Sequence, residues 1–147
     1  MSLQAYLDRF SEGWRAPAFA ALIAMLAGLP GVTLPLPADA HAENIYWVYA
    51  LVVDQLPAAL AARRQGDEYY AEVVMRELAA RGVGTRPFFT GMHEQPVLRK
   101  LGFFAGVACP VAERIARQGL YIPSGLALTD AEVDQVAATV QALFAGA

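Results

Sequence analysis

The side chains able to do covalent or acid–base chemistry are few. Lys100 is the sole lysine, Cys109 the sole cysteine, and His41 and His93 the two histidines. A lysine can form a Schiff base and a thiolate can attack a carbonyl, but each needs surroundings that lower its pKa. Lys100 lies in Val97-Leu98-Arg99-Lys100-Leu101-Gly102, which reads as a short surface helix, so a solvated ammonium is expected. Cys109 precedes Pro110 at a helix entry. That position can lower a thiol pKa, yet a buried, inert thiol is the expected state. His41 falls in a proline-rich stretch and reads as a solvated loop histidine. No glycine-rich phosphate loop, G-x-S-x-G elbow or metal-spaced Cys/His set is present, so no self-contained catalytic or metal site is expected.

These residues are carried by a chain of alternating helices and short strands. Residues 3–29 read as helical, with Leu3, Tyr6, Leu7 and Phe10 on one face and Phe19, Leu22, Ile23, Leu26 and Leu29 on another. Pro17 suits the first turn of a second helix, where its missing N–H costs nothing. Residues 30–42 form an extended, proline-rich connector. The run 44–53 is dense in aromatic and β-branched residues and predicts a buried strand, with Tyr46, Trp47 and Tyr49 in the core. Residues 54–66 fit either a loop or a short helix opened by Pro57 and closed by Gly66. A helix is expected over 67–81, a short edge strand over 84–89, and helices over 94–101 and 111–118. A strand follows at 120–123. Thr129-Asp130-Ala131-Glu132 is a capping box that starts a final helix, with Val133, Val136, Val140 and Phe144 on its buried face. Few strands among several helices predict an α+β fold, a small antiparallel or mixed sheet covered by helices.

Composition limits the function classes. Apolar residues make up 56% of the 147 and charged ones 17%, enough for a packed core. The net charge of −3 and scattered basic residues give no footprint for nucleic acid. A lone cysteine excludes an internal disulfide and fits a reducing cytoplasm. The apolar run 16–29 is too short to span a bilayer, and its distance from Ala38-Asp39-Ala40 argues against a signal peptide, so no membrane partner is expected.

Residues 82–96, Gly-Val-Gly-Thr-Arg-Pro-Phe-Phe-Thr-Gly-Met-His-Glu-Gln-Pro, resemble a segment of the DegT/DnrJ/StrS-type sugar aminotransferases, closest to their perosamine synthase branch. Pro110-Val111-Ala112-Glu113-Arg114 and Gly119-Leu120-Tyr121-Ile122-Pro123-Ser124-Gly125 resemble two more blocks of that branch. Asn44-Ile45-Tyr46-Trp47 and Leu29-Pro30-Gly31 resemble others, and all keep their order. The first 25 residues fit the pattern poorly, and the 54–66 link looks long for it.

The resemblance implies the C-terminal small domain of an aspartate-aminotransferase-like enzyme. Residues 1–42 would be a helical arm and connector, and 43–147 the small domain. In that family a large domain holds pyridoxal phosphate and supplies the Schiff-base lysine, so this chain alone is expected to bind no cofactor and to be inactive. The implied substrate is a nucleotide-linked 4-keto-6-deoxy sugar, with glutamate as amino donor. By resemblance, Arg86 faces the mouth of the active site, where its guanidinium suits a carboxylate or pyrophosphate; pairing with Glu94 is the alternative. His93 contacts the sugar nucleotide or else packs locally. Phe88 and Phe89 wall a sugar pocket or fill the core. Expected partners are a nucleotide sugar, a separate large-domain chain, or a second copy docked through the apolar helix 16–29. The other reading is a stand-alone binding or interaction module on the same fold.

Overall fold

The computed structural model describes residues 17–145 other than 43, 45 and 126; the helical face Leu3, Tyr6, Leu7 and Phe10 lies outside them. The chain runs α1 (Pro17–Leu26), β1 (Val32–Thr33), β2 (Tyr49–Val53), α2 (Ala58–Ala61), α3 (Tyr70–Ala79), β3 (Arg86–Pro87), a 3-10 turn (Met92–Glu94), α4 (Pro96–Lys100), α5 (Pro110–Gln118), β4 (Gly119–Ile122) and α6 (Asp130–Ala145). The strands form one antiparallel sheet in the order β1-β2-β4-β3.

The sheet is built around β2 and β4. Side chains alternate along a strand, and Tyr49, Leu51 and Val53 all point inward. Their antiparallel register sets Tyr49 opposite Ile122 and Leu51 opposite Leu120, all buried. Against this sheet lies α3, which also touches α5 and α6. It contributes Val73, Val74 and Leu78, each fully buried. Burying one such side chain stabilises the fold by about 1.5–3 kcal/mol.

Helix α6 begins as its capping box predicts. The Thr129 N–H donates to Glu132 Oε2 at 2.8 Å, and the Glu132 N–H donates back to Thr129 Oγ1 at 3.3 Å. Its buried face holds Val133, Val136, Val140 and Phe144, as the helical spacing requires. Helix α1 packs along α6 and buries Leu22 and Leu26 there, and Gln141 Nε2 donates to the Met25 carbonyl at 2.5 Å.

Among the described residues, those from 17 to 42 pack against the same core as the residues that follow. Helix α1 shares the common core, and the expected connector supplies β1, with Val32 opposite Val53. The Gly31 carbonyl accepts the Asp54 and Gln55 N–H groups, at 2.8 and 3.1 Å. Gly31 sits at φ +76°, and a Cβ there would lie 2.4 Å from the Gln55 carbonyl oxygen. Only glycine allows this approach.

Two local expectations change. The strand predicted over 44–53 is confined to 49–53. Asn44 Oδ1 accepts the Tyr46 N–H at 2.8 Å, and Tyr46 adopts φ +49°. This Asx turn takes up backbone that a strand would need. Trp47, expected in the core, is 66% exposed. The second change is the short helix read between Pro57 and Gly66, which is confined to Ala58–Ala61; the 54–66 link is tied to α3 by charge. Buried Glu77 accepts from Arg63 at 2.6 Å, Arg81 at 3.0 Å and Arg76 at 3.1 Å. The arginine bonds, Arg81 first and then Arg63, hold its carboxyl below the usual range.

Candidate functional site: a cavity beside strand β3

The run 84–89 crosses the sheet edge and exposes its side chains. Arg86 pairs with Tyr121 and Pro87 with Leu120, and the Phe88 N–H donates to the Gly119 carbonyl at 3.1 Å. Pro87 has no N–H, so this strand ends the sheet on that side. A cavity of about 610 Å³, open to solvent, lies beside it. Its walls come from three segments: Trp47 and Val48 ahead of β2, residues 84–87 with Phe89, and residues 121–124 at the end of β4.

The walls are mostly apolar. Phe88 stacks on Tyr121 with ring centres 4.8 Å apart, and Phe89 meets the same ring edge-on at 5.6 Å. Phe88 is half-buried and lies behind the wall, whereas Phe89 is 67% exposed on it. Ser124 Oγ accepts the Tyr49 N–H at 3.1 Å, which fixes the 121–124 wall to β2. Arg86 is the one charged residue lining the cavity among the described residues. It is exposed and makes no hydrogen bond or ion pair among the described residues. The Glu94 alternative is not realised. Glu94 Oε1 instead binds Arg117 at 2.5 Å, with Arg99 at 3.9 Å.

His93 does not line this cavity. It is 6% exposed, and its Nε2 lies 3.0 Å from Glu113 Oε1. The same oxygen accepts the Cys109 N–H at 2.9 Å, while Arg99 Nε donates to the His93 carbonyl at 3.0 Å. The Cys109 N–H, followed by the His93 bond, pulls the Glu113 carboxyl below its ordinary range. His93 thus clasps the 91–95 loop to the start of α5. Cys109 is half-buried, His41 is exposed, and Lys100 is exposed at the end of α4, away from the cavity walls.

Sequence reasoning missed Trp47, Thr85, Tyr121 and Ser124 as cavity residues. The Asn44–Trp47 and Gly119–Gly125 blocks held the signal, but aromatic density alone made Trp47 look like core. Among the described residues, no group of three or more His, Cys, Asp or Glu side chains could hold a metal ion. The cavity also lacks what a Schiff-base cofactor requires. Among the described residues no lysine and no carboxylate lines it, and the chain's one lysine stands in solvent. These residues do not fit pyridoxal phosphate.

Fold and cavity together describe a helix-backed antiparallel sheet with an open, aromatic-walled cavity at one edge. Residues 4–141 match the DegT/DnrJ/EryC1/StrS aminotransferase family, and the chain belongs to it. The match begins well inside the first 25 residues, which had looked foreign to the pattern. Compared by sequence with curated proteins, the chain has no match. Among solved structures it resembles the aminotransferase TlmJ from Streptoalloteichus hindustanus, at 24% identity and a TM-score of 0.72, covering 97% of this chain and 35% of TlmJ. It also resembles Spr1654 from Streptococcus pneumoniae in its PLP-form, at 17% identity and a TM-score of 0.74, covering 97% of this chain and 34% of Spr1654. A third is DesI in the presence of its TDP-sugar product, at 28% identity and a TM-score of 0.66, covering 92% of this chain and 32% of DesI. The family is PLP-dependent, and the chain spans about a third of the length of these structures.

Proposed function

We propose that this chain serves as the small domain of a sugar-nucleotide aminotransferase, lending the cavity beside β3 as one wall of the substrate site. The observation that carries this reading is the Arg86 guanidinium, without a partner among the described residues, on a mostly apolar, aromatic cavity. A fixed cation there binds and orients an anionic substrate, and the aromatic walls exclude water around it. Amino transfer itself needs the cofactor, which supplies the electron sink, and a lysine to shuttle protons. In the family those belong to the large domain, and these residues contribute to the chemistry only alongside one. The perosamine-like blocks favour a 4-keto-6-deoxy hexose as the sugar, and the lone cysteine favours the reducing cytoplasm as the compartment.

One observation favours a role for the chain in association. Met92, Val97, Leu101, Phe103, Phe104, Val107 and Val111 are all exposed within a single stretch. An apolar surface of this kind marks a contact site, for a large-domain chain or a second copy. Helix α1 is less suited to that role than its composition suggests, because Leu22 and Leu26 already face α6.

Calorimetric titration with a nucleotide-linked 4-keto-6-deoxyhexose tests the reading. Saturable binding, weakened by Arg86→Gln, is expected. Pyridoxal phosphate with borohydride should label Lys100 no more in the folded chain than in the unfolded one. A fold-dependent adduct there, or no binding of the sugar nucleotide, would overturn the proposal.

A further inference from the structure

The cavity also indicates which half of a sugar nucleotide it holds. A hexose carries several hydroxyls, and each one buried without a partner costs about 1–3 kcal/mol. The side-chain groups available to them are sparse. Beyond Arg86 the described lining offers the Thr85 and Ser124 hydroxyls, the Tyr121 phenol and the Trp47 indole N–H. Ser124 Oγ is already engaged by the Tyr49 N–H. The apolar area is instead flat and aromatic: Trp47 at 66% exposure, Phe89 at 67%, and Tyr121 backed by Phe88.

Aromatic faces of this kind suit a heteroaromatic ring, which stacks without needing hydrogen bonds across its faces; such stacking contributes about 1–3 kcal/mol per base. Arg86 suits a phosphate, which its fork can bind through two N–H groups. One cavity therefore pairs a stacking platform with a single unpaired cation. Its volume of about 610 Å³ falls in the range of small-molecule sites.

We propose that Trp47 and Arg86 form a subsite for the nucleoside diphosphate half of the ligand, with Trp47 stacking on the base and Arg86 binding the phosphates. This rests on reading the cavity as a sugar-nucleotide site. The sugar then projects away from this chain, toward whatever supplies the amino-transfer chemistry. Recognition by this domain is accordingly indifferent to the sugar and sensitive to the nucleotide.

The test titrates the full chain with thymidine diphosphate, uridine diphosphate, inorganic pyrophosphate, glucose 1-phosphate and a complete nucleotide sugar. Binding is followed by calorimetry and by the shift of the Trp47 indole N–H resonance. Both key side chains are exposed, so Arg86→Gln and Trp47→Leu leave the core intact. A nucleoside diphosphate should bind within about tenfold of the complete ligand and move the Trp47 resonance. Each substitution should weaken it about tenfold or more, whereas pyrophosphate should respond to Arg86→Gln alone. If the complete ligand and glucose 1-phosphate bind and nucleoside diphosphates do not, the subsite is overturned while the broader reading stands. Binding of a nucleoside diphosphate without the complete ligand would keep the subsite and sink the broader reading. If nothing binds, or binding leaves Trp47 unmoved, the subsite falls.

Discussion

Arg86 and His93 come from one continuous run of sequence, yet their side chains end in opposite environments. Arg86 stands on the open cavity, and His93 is enclosed against Glu113. The clasp has a consequence for pH. The Glu113 carboxyl is held below its ordinary range by the Cys109 N–H and by His93, so it binds fewer protons folded than unfolded. Its contribution is present above the ordinary carboxylate range and is lost as pH falls through its lowered value. Urea denaturation across acidic pH should therefore show a steeper acid loss for the native chain than for Glu113→Gln. Equal slopes would mean the clasp carries no linkage. Gly91 offers a second probe. A Cβ there would lie 2.7 Å from His93 Cε1 and 2.8 Å from its Nδ1. Gly91→Ala should displace the ring and cost about 1–3 kcal/mol in the same assay. Sequence could nominate Arg86 and His93 together, because one motif holds both. It could not separate their fates, since burial depends on where Glu113, far along the chain, arrives.

At the scale of elements, helix signals carried over well and strand extents did not. Thr129 and Glu132 announce the start of α6 locally, through bonds between residues close in sequence. Removing the cap with Thr129→Ala should cost about 1 kcal/mol, read from the denaturation midpoint. The stretch 44–53 misled because strand composition is shared by strands and by turns that pack aromatic rings. The decision lay with Asn44, whose side chain captures the Tyr46 N–H. Strand β1 was hidden for another reason, as two residues among prolines give no periodic pattern. Gly119 joins α5 to β4 under tight limits. A Cβ there would come within 2.5 Å of the Ile115 carbonyl oxygen and 2.9 Å of the Phe88 ring. Gly119→Ala should destabilise by about 1–3 kcal/mol and loosen β3, visible as faster hydrogen exchange at the Phe88 amide.

Across the whole molecule, one core joins α1, α3 and α6 to the sheet. Phe144 is among its largest enclosed side chains, at 1% exposure. Phe144→Ala should cost about 3–5 kcal/mol, a large share of the roughly 5–15 kcal/mol typical of a domain. Thermal denaturation would measure it, and a small change would show that the core can collapse around the gap. The exposed row from Met92 to Val111 predicts association that depends on concentration. Light scattering over a dilution series should reveal it, and Phe103→Ser with Val111→Ser should shift the balance toward monomer.

The way the sheet ends has its own consequence. Its outer strands, β1 and β3, are each two residues long, and β3 contains Pro87. Extended edges recruit other chains through their unpaired backbone, the first step toward fibrils. These edges offer too little ladder to be copied. Growth by adding strands is thereby disfavoured, and contacts with other molecules are left to side chains rather than to the backbone ladder.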